Sequence, residues 1–363
     1  MTMREHSRRT VLRAAAAVGG VAALQGAATA IGLVASRPAH AATTVQSLRS
    51  TAKSWLWAAE DYGIGGGFFG KAGLDVNVTA TRRGVNTAAL IGGNADILLG
   101  APGQTMKAQV QNQPLKLIGG LVNKYASNVV VKKDILDKAG VTEASSVEDK
   151  AAVLKGLKMG TTGPGAGPDN LLRYLMDKAG INPDREAELT PVQGGGSGLL
   201  AAMERGVIDG FCLSSPTADI AIKKFGAAYL FNMATNPPPE LNDYLYISVA
   251  VAQSAIDEKR DMLVDYMTGL ARGLQAINSD PNAFKGWATG WFEGLDPDVF
   301  EKAFASNSQI YMPDPTPREH HFVKNVEFVN LSLKTLNKDP MPSSFAFADA
   351  YDPSIAADAM KQI

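Results

Sequence analysis

The chain has 363 residues, of which 45% are hydrophobic, a formal net charge of −1 and a single cysteine, Cys212. This length is enough for about two domains or one large bilobed unit. The near-neutral charge excludes a general attraction to nucleic acid or anionic membranes, and a lone cysteine excludes an intrachain disulfide.

The first 41 residues predict a cleaved export signal. Arg8 and Arg9 precede an uncharged run rich in Ala and Gly over residues 14–35, and Ala39 and Ala41 match a signal-peptidase site. The arginine pair indicates the twin-arginine route. A transmembrane anchor is the alternative, which the scarcity of Leu and Ile in the run disfavours. The segment carries five Arg and one Glu, so its removal leaves 322 residues with a net charge of −5, predicted to act in the periplasm.

Short β-like runs alternate with helical stretches in the first part of the mature chain, which is the pattern of an α/β protein. Two glycine-rich segments, residues 63–67 and 92–93, punctuate the predicted helices. The predicted strands cover residues 45–51, 74–81, 97–99, 115–121 and 128–131, and the predicted helices cover residues 55–69 and 86–91.

A similar unit follows, with strands predicted at residues 158–161 and 208–213 and helices at 169–178 and 198–205. Residues 71–75 resemble 178–182, and residues 88–97 resemble 201–210, in the same order. These repeats predict two related lobes. A strand at 244–251 and a mostly helical last third, beginning with a helix at 255–279, follow. We divide the chain into lobe 1 (residues 42–126), lobe 2 (127–242), and a return to lobe 1 with C-terminal helices (243–363).

Ligands of open α/β sheets bind beyond the carboxyl ends of the strands. Glycines after such a strand let N–H groups turn toward a ligand, and a following helix N-terminus favours anions, although a tight turn that binds nothing has the same sequence. Tryptophan faces suit an aromatic or aliphatic solute, and hydroxyl and amide groups give directional hydrogen bonds. The predicted ligand-binding residues are Ser54, Trp55, Trp57, Arg83, Asn86, Pro102, Gln104, Ser127, Thr162, Gly163, Pro164, Gly165, Ala166, Gly167, Ser214 and Ser215.

Arg83 and Lys124 are the cations best placed to meet an acidic group. Catalytic patterns are missing, because no histidine falls within the two lobes to activate a nucleophile. Cys212 lies in an apolar run typical of a core strand. The adjacent His320 and His321 are expected to point to different faces of a helix and so not to chelate a metal together. The sequence therefore predicts no catalytic residue, no metal and no cofactor.

Residues 157–167, 171–175 and 178–183, together with Gly194-Gly195-Gly196 and Ser214-Ser215-Pro216, resemble the solute-binding proteins of nitrate, sulfonate and taurine ABC importers. That group includes proteins similar to thiamine-pyrimidine synthesis proteins, and the resemblance covers residues 45–222.

This resemblance implies a type II periplasmic-binding fold, in which two α/β lobes are joined by two crossing segments, here near residues 125–128 and 239–244. A small organic anion would be captured between the lobes of a monomer by hinge closure. It would then pass to a membrane permease and its ATPase. Two alternatives stay open: an exported enzyme with an unrecognised cleft site, and a sensory binding protein that feeds a membrane receptor. The synthases of the wider group depend on histidine chemistry that this chain lacks.

Overall fold

A computed structural model describes residues 42–81 and 85–363 of the chain, except for the side chain of Val85. The predicted export signal, residues 1–41, and the predicted ligand residue Arg83 lie outside the described residues. Within the described ranges, every helix is too short or too polar to cross a membrane.

The strands form two five-stranded sheets. Sheet 1 has the order β2-β1-β3-β10-β4 and sheet 2 the order β7-β6-β8-β5-β9. The strands are β1 (Thr43–Arg49), β2 (Leu74–Ala80), β3 (Ile97–Gly100), β4 (Leu115–Lys124), β5 (Asn128–Lys132), β6 (Lys158–Thr161), β7 (Glu188–Pro191), β8 (Gly210–Leu213), β9 (Ala227–Phe231) and β10 (Asn242–Ala252).

Helices cover both sheets and make up most of the last third of the described chain. They are α1 (Ala58–Gly65), α2 (Phe68–Lys71), α3 (Val85–Ile91), α4 (Pro102–Val110), α5 (Lys133–Ala139), α6 (Val147–Ala152), α7 (Gly167–Lys178), α8 (Gly195–Glu204), α9 (Thr217–Phe225), α10 (Gln253–Ser279), α11 (Pro281–Trp291), α12 (Pro297–Asn307), α13 (Glu319–Thr335), α14 (Phe347–Ala350) and α15 (Ser354–Met360).

Both sheets are built on one plan. Three strands run parallel, β2-β1-β3 in sheet 1 and β7-β6-β8 in sheet 2, and a fourth strand joins antiparallel, β10 in sheet 1 and β5 in sheet 2. The chain crosses from sheet 1 to sheet 2 between β4 and β5 and returns between β9 and β10. We call sheet 1 with its helices lobe 1, and sheet 2 with its helices lobe 2. The predicted type II periplasmic-binding fold is confirmed.

The predicted helix over residues 55–69 is three pieces. A 3-10 turn at Trp55–Trp57 leads into α1, and α2 starts only after Gly67. The backbone of Gly67 has a φ of +70°, a left-handed conformation that glycine adopts without strain and that ends a right-handed helix. This break turns α2 so that Phe69 is buried against α10, with its ring stacked 5.0 Å from that of Tyr266.

Candidate functional site

The carboxyl ends of the parallel strands of the two lobes face each other. Residues 50–54 and 101–104 follow β1 and β3 in lobe 1, and residues 162–167 and 214–217 follow β6 and β8 in lobe 2. We call the space between these four segments the cleft. Ser54 of lobe 1 lies 3.0 Å from Ser214 of lobe 2, hydroxyl oxygen to hydroxyl oxygen. The structure therefore shows the two lobes in direct contact at the cleft.

Ser54 occupies this position because it starts the 3-10 turn. Its hydroxyl oxygen accepts a hydrogen bond from the Leu56 N–H at 3.3 Å, which is the usual role of serine at a helix start. The same hydroxyl reaches the carbonyl oxygen of Ser215 at 3.3 Å. All three serines, Ser54, Ser214 and Ser215, are buried, so they form one small hydroxyl cluster between the lobes.

Asn128 fixes the lobe 2 side of this cluster. It is the first residue of β5, and its amide donates to the Ser215 hydroxyl at 3.3 Å. Its side-chain oxygen accepts from the backbone N–H groups of Met233 (2.9 Å) and Ala234 (3.3 Å), on the return crossing. One side chain thus joins both crossing segments to the cleft. Asn128 is absent from the predicted ligand-binding residues, although it lies in the predicted first crossing, residues 125–128.

Two tyrosines lie between the first crossing and the glycine loop that precedes α7. The Tyr125 hydroxyl donates to the Gly167 carbonyl at 2.7 Å, and the Tyr246 hydroxyl lies 2.6 Å from that of Ser127. Their rings stack 4.2 Å apart. A Cβ atom at Gly167 would stand 2.8 Å from the Tyr246 hydroxyl, so a larger residue there would displace that hydroxyl. Burial raises the pKa of Tyr125 well above its usual value, which keeps the phenol protonated as a donor.

The loop over residues 162–167 uses several of its own N–H groups. The Gly163 N–H donates to the Thr161 hydroxyl at 3.2 Å, and the Ala166 N–H donates to the Gly163 carbonyl at 3.1 Å. The Gly165 N–H donates to a carboxylate oxygen of Asp169 at 2.7 Å. Asp169 is buried in the first turn of α7. An acidic residue in a first helical turn is a readable sequence signal, but the sequence analysis did not use it.

Trp55 and Trp57 both lie in the interior of lobe 1. Trp55 is fully buried, and its N–H has no hydrogen-bond partner among the described residues. Trp57 is nearly buried and donates its ring N–H to the Thr51 hydroxyl at 2.8 Å. A role for either ring in ligand contact stays a prediction. The rings around Trp55 come from α11, α12 and the segments that flank them, with centroids 4.5 to 6.2 Å away: Phe284, Phe292, Phe300 and Phe304.

The remaining described candidates of lobe 1 lie in α3, α4 and β4. Asn86 is half-buried in the first turn of α3, and its side-chain oxygen has no partner in the described part of the chain. Pro102 is the buried first residue of α4, and Gln104 is exposed in the same turn. Lys124 ends β4 opposite Asn242, the first residue of β10. Burial lowers the pKa of Lys124.

Two cavities of the described ranges bear on the position of the site. One of about 20 Å³, roughly the room for a single water molecule, lies between Gln104 of lobe 1, Gly167 and Asn170 of lobe 2, and Tyr125. The larger, of about 410 Å³, is an open groove on lobe 1 beside Asn112. None of the predicted ligand residues within the described ranges lines the groove. We place the candidate site in the cleft, where this small cavity and the hydroxyl cluster both lie between the lobes.

The expectation that His320 and His321 point apart is wrong. Both lie in the first turn of α13, and their Nε2 atoms lie 2.8 and 3.3 Å from the two oxygens of Asp243. Asp243 has a φ of +47°, which turns its carboxylate between the rings. No local sequence pattern indicates this arrangement, because Asp243 lies 77 positions before His320 and is brought to the start of α13 by β10.

This group could hold a metal ion by residue type and spacing, but the proton positions oppose it. The Nδ1 atom of His321 accepts the Arg318 backbone N–H at 3.2 Å, which places the ring proton on Nε2, where it is donated to Asp243. A metal-bound histidine normally donates from its second nitrogen. Burial lowers the pKa of His321 more than the hydrogen bond to Asp243 raises it. The arrangement fits a hydrogen-bonded cluster that fastens α13 to β10.

Cys212 is a buried free thiol in β8. Burial raises its pKa well above the usual range, so the reactive thiolate is disfavoured. Its sulfur lies 4.0 Å from the Ser127 carbonyl oxygen. The residue packs beneath the cleft as a small core side chain.

Comparisons with known proteins agree with this architecture. A protein of Bordetella bronchiseptica RB50 matches with a TM-score of 0.72 at 20% identity, over 89% of this chain and 98% of that one. The periplasmic aliphatic sulphonate-binding protein SsuA of Escherichia coli matches with a TM-score of 0.64 at 14% identity, over 86% and 93% of the two chains. The chain therefore has the fold of the periplasmic binding proteins.

The model of the NMT1-like family matches residues 62–288, and the chain belongs to that family. The nitrate/nitrite-binding protein NrtA of Nostoc sp. PCC 7120 is 37% identical over 93 residues, which are 24% of this chain. The matched stretch spans only 21% of that relative's length. The predicted resemblance to the nitrate and sulfonate binding proteins is confirmed.

Proposed function

We propose that the protein is the substrate-binding component of an ABC importer, which captures a small organic anion in the cleft and delivers it to a membrane permease and its ATPase. The observation that carries the proposal is the contact of Ser54 with Ser214 and Ser215. Loops at the carboxyl ends of strands in opposite lobes meet there, where a solute would hold the lobes together.

The proposed charge of the solute follows from the two cations predicted to meet an acidic group. Lys124 ends β4, just before the first crossing, whereas Arg83 lies outside the described residues. A carboxylate or sulfonate attached to an organic group would pair its charge with Lys124, and a contact with Arg83 stays a prediction. Its hydrogen-bonding part would then face the hydroxyl cluster. Solute-binding proteins such as SsuA, with the same fold, are named for sulfonates.

Location and partners complete the proposal. Export by the twin-arginine route with cleavage after Ala41 would deliver the folded protein to the periplasm. It would act there as a monomer, with no resident cofactor and no turnover of its ligand.

Thermal unfolding of the purified protein against sulfonates, nitrate, aromatic carboxylates and pyrimidines tests the proposal. A ligand present at 100 times its Kd stabilises the native state by about 2.7 kcal/mol, so one compound class should raise the Tm clearly. Failure of every class would count against the proposal. Conversion of a compound to product would favour the exported-enzyme alternative instead.

A matched pair of variants ties any hit to the cleft. Tyr125→Phe removes the hydroxyl that donates to Gly167. Tyr351→Phe removes a buried hydroxyl with no hydrogen-bond partner among the described residues. Loss of one hydrogen bond costs about 0.5–1.5 kcal/mol, so Y125F should weaken binding several-fold while Y351F leaves it unchanged. Equal effects of both variants would place the bound compound elsewhere.

A further inference from the structure

The Asp169 carboxylate places a negative charge of the protein itself at the start of α7. The Asp169 carboxylate accepts the Gly165 N–H at 2.7 Å and lies 3.1 Å from the Nε atom of Arg173. Arg173 reaches Asp184 with its Nη1 atom at 3.0 Å. Asp169 and Arg173 are 2% and 6% exposed. Two carboxylates therefore share one guanidinium, and of the two it is Asp169 that binds an N–H group of the glycine loop.

A helix N-terminus that follows a glycine loop normally attracts anions, because unpaired N–H groups and the helix dipole point at the ligand. Three N–H groups of the loop before α7 are already hydrogen-bonded within the protein. The Gly165 N–H is bound by Asp169, that of Gly163 by the Thr161 hydroxyl at the end of β6, and that of Ala166 by the Gly163 carbonyl. A free oxyanion approaching these three groups would meet a buried carboxylate rather than open donors.

We infer that Asp169 is a specificity-determining residue, a built-in anion that keeps free inorganic oxyanions such as sulfate out of the lobe 2 half of the cleft. The uncharged, hydrogen-bonding part of the solute then faces lobe 2, beside Ser214 and Ser215, and its acidic group faces lobe 1. This inference rests on the proposed function and narrows it to organic monoanions with a polar, uncharged end.

The link from Asp169 to the rest of the cleft is short. Asn170, the next residue, donates to the Gly165 carbonyl at 3.3 Å and accepts from the Ser332 hydroxyl of α13 at 2.7 Å. Asn170 and Gly167 also line the small cavity between the lobes. The carboxylate therefore acts on a loop that is held from both sides, and a change of its charge should alter binding without requiring the loop to move.

Sulfate titration of the purified protein and two variants, followed by thermal unfolding at constant ionic strength with chloride as reference, tests the inference. Asp169→Ala removes the carboxylate, opens the space between the Gly165 N–H and Arg173, and should lower the Kd for sulfate about tenfold or more. Asp184→Asn removes the other carboxylate that pairs with Arg173 and leaves the contacts of the loop unchanged. It should respond to sulfate as the unchanged protein does.

Three outcomes would overturn the inference: specific sulfate stabilisation of the unchanged protein, no gain in Asp169→Ala, or an equal gain in Asp184→Asn. If Asp169→Ala does not fold, Asp169→Asn keeps the shape and removes only the charge. It should then show the same direction of change. A purely structural role of Asp169 predicts a lower Tm in every salt and no preference for sulfate. The titration uses sulfate and not the solute, so a negative titration would not contradict the importer proposal. Conversely, the sulfate result can be interpreted even if the solute screen finds no ligand.

Discussion

Each lobe buries an arginine between two carboxylates beside one loop of the cleft, residues 50–54 in lobe 1 and residues 162–167 in lobe 2. The groups that hold these two loops are opposite in charge. In lobe 1, Arg49 lies 3.2 Å from Glu60 and 2.9 Å from Asp61, and its guanidinium donates to the Ala52 carbonyl. In lobe 2, the Arg173 cluster holds its loop through the Gly165 N–H, which donates to the Asp169 carboxylate.

The two sides of the cleft therefore differ in the charge of the side chain that binds the loop. The cation of lobe 1 takes up a loop carbonyl, whereas the carboxylate of lobe 2 takes up a loop N–H. Under the inference above, the acidic group of the solute faces lobe 1, away from Asp169. A sequence search for glycine loops selects the lobe 2 loop as the anion site. The sequence does not show which backbone N–H groups of that loop are already hydrogen-bonded to side chains.

The largest effect should come from removing the lobe 1 cation. Arg49→Leu leaves Glu60, which is fully buried, and Asp61 without their counter-ion. Stranding a buried charge costs about 3–5 kcal/mol, and denaturant unfolding would measure the loss.

Arg173→Leu is the matched test in lobe 2. Asp184 there is half-exposed and Asp169 keeps its N–H donor, so the loss should be smaller. An equal or larger loss in Arg173→Leu would mean that the two clusters do not differ as described.

A second prediction uses pH. Burial raises the pKa of Asp61 from 3.8 to about 6, and the nearby Arg49 only partly offsets it. Because the folded carboxyl holds its proton more tightly than the unfolded one, its stabilising contribution is complete below pH 3.8 and is lost as the pH rises through about 6. The free energy of unfolding of Asp61→Asn, relative to the unchanged protein, should therefore increase by roughly 2 kcal/mol between pH 4 and pH 7.

Urea unfolding across this pH range would measure the difference. Asp75→Asn, on the exposed face of β2, provides the control for an added neutral amide. A difference between Asp61→Asn and the unchanged protein that stays flat or falls with pH would contradict the assignment.

The smallest effect concerns the contact that joins the two loops. Ser54→Ala removes the hydroxyl shared with Ser214 and Ser215. The loss of about 1 kcal/mol should shift the balance toward open lobes roughly fivefold. Spin labels at the exposed positions Lys71 in lobe 1 and Lys138 in lobe 2 would report the interlobe distance. Ser279→Ala, at the end of α10, should leave the distance distribution unchanged.

Sequence patterns predicted the central strands of both sheets, because buried strands are short apolar runs that end in glycine or proline. Two strands were missed, β7 and β9, and each lies at an edge of sheet 2. An edge strand such as β7 is mostly exposed and therefore lacks the apolar run of a central strand.

Parts of the site could not be predicted because they depend on contacts between distant segments. Trp55 is surrounded by aromatic rings more than 200 positions away, so its burial has no local signal. The pairing of His320 and His321 with Asp243 depends on the path of β10 in the same way. Ser54, Ser214 and Ser215 were predicted from the rule on strand ends, and the fold brings them together.

The central claim is that a solute is held between the lobes. Native mass spectrometry of the protein, purified under mild conditions from the cells that produce it, tests this most directly. The account predicts one small organic acid bound per chain, released on denaturation, with reduced occupancy in Tyr125→Phe. A protein that carries no such molecule, and that no organic acid stabilises against unfolding, would contradict it.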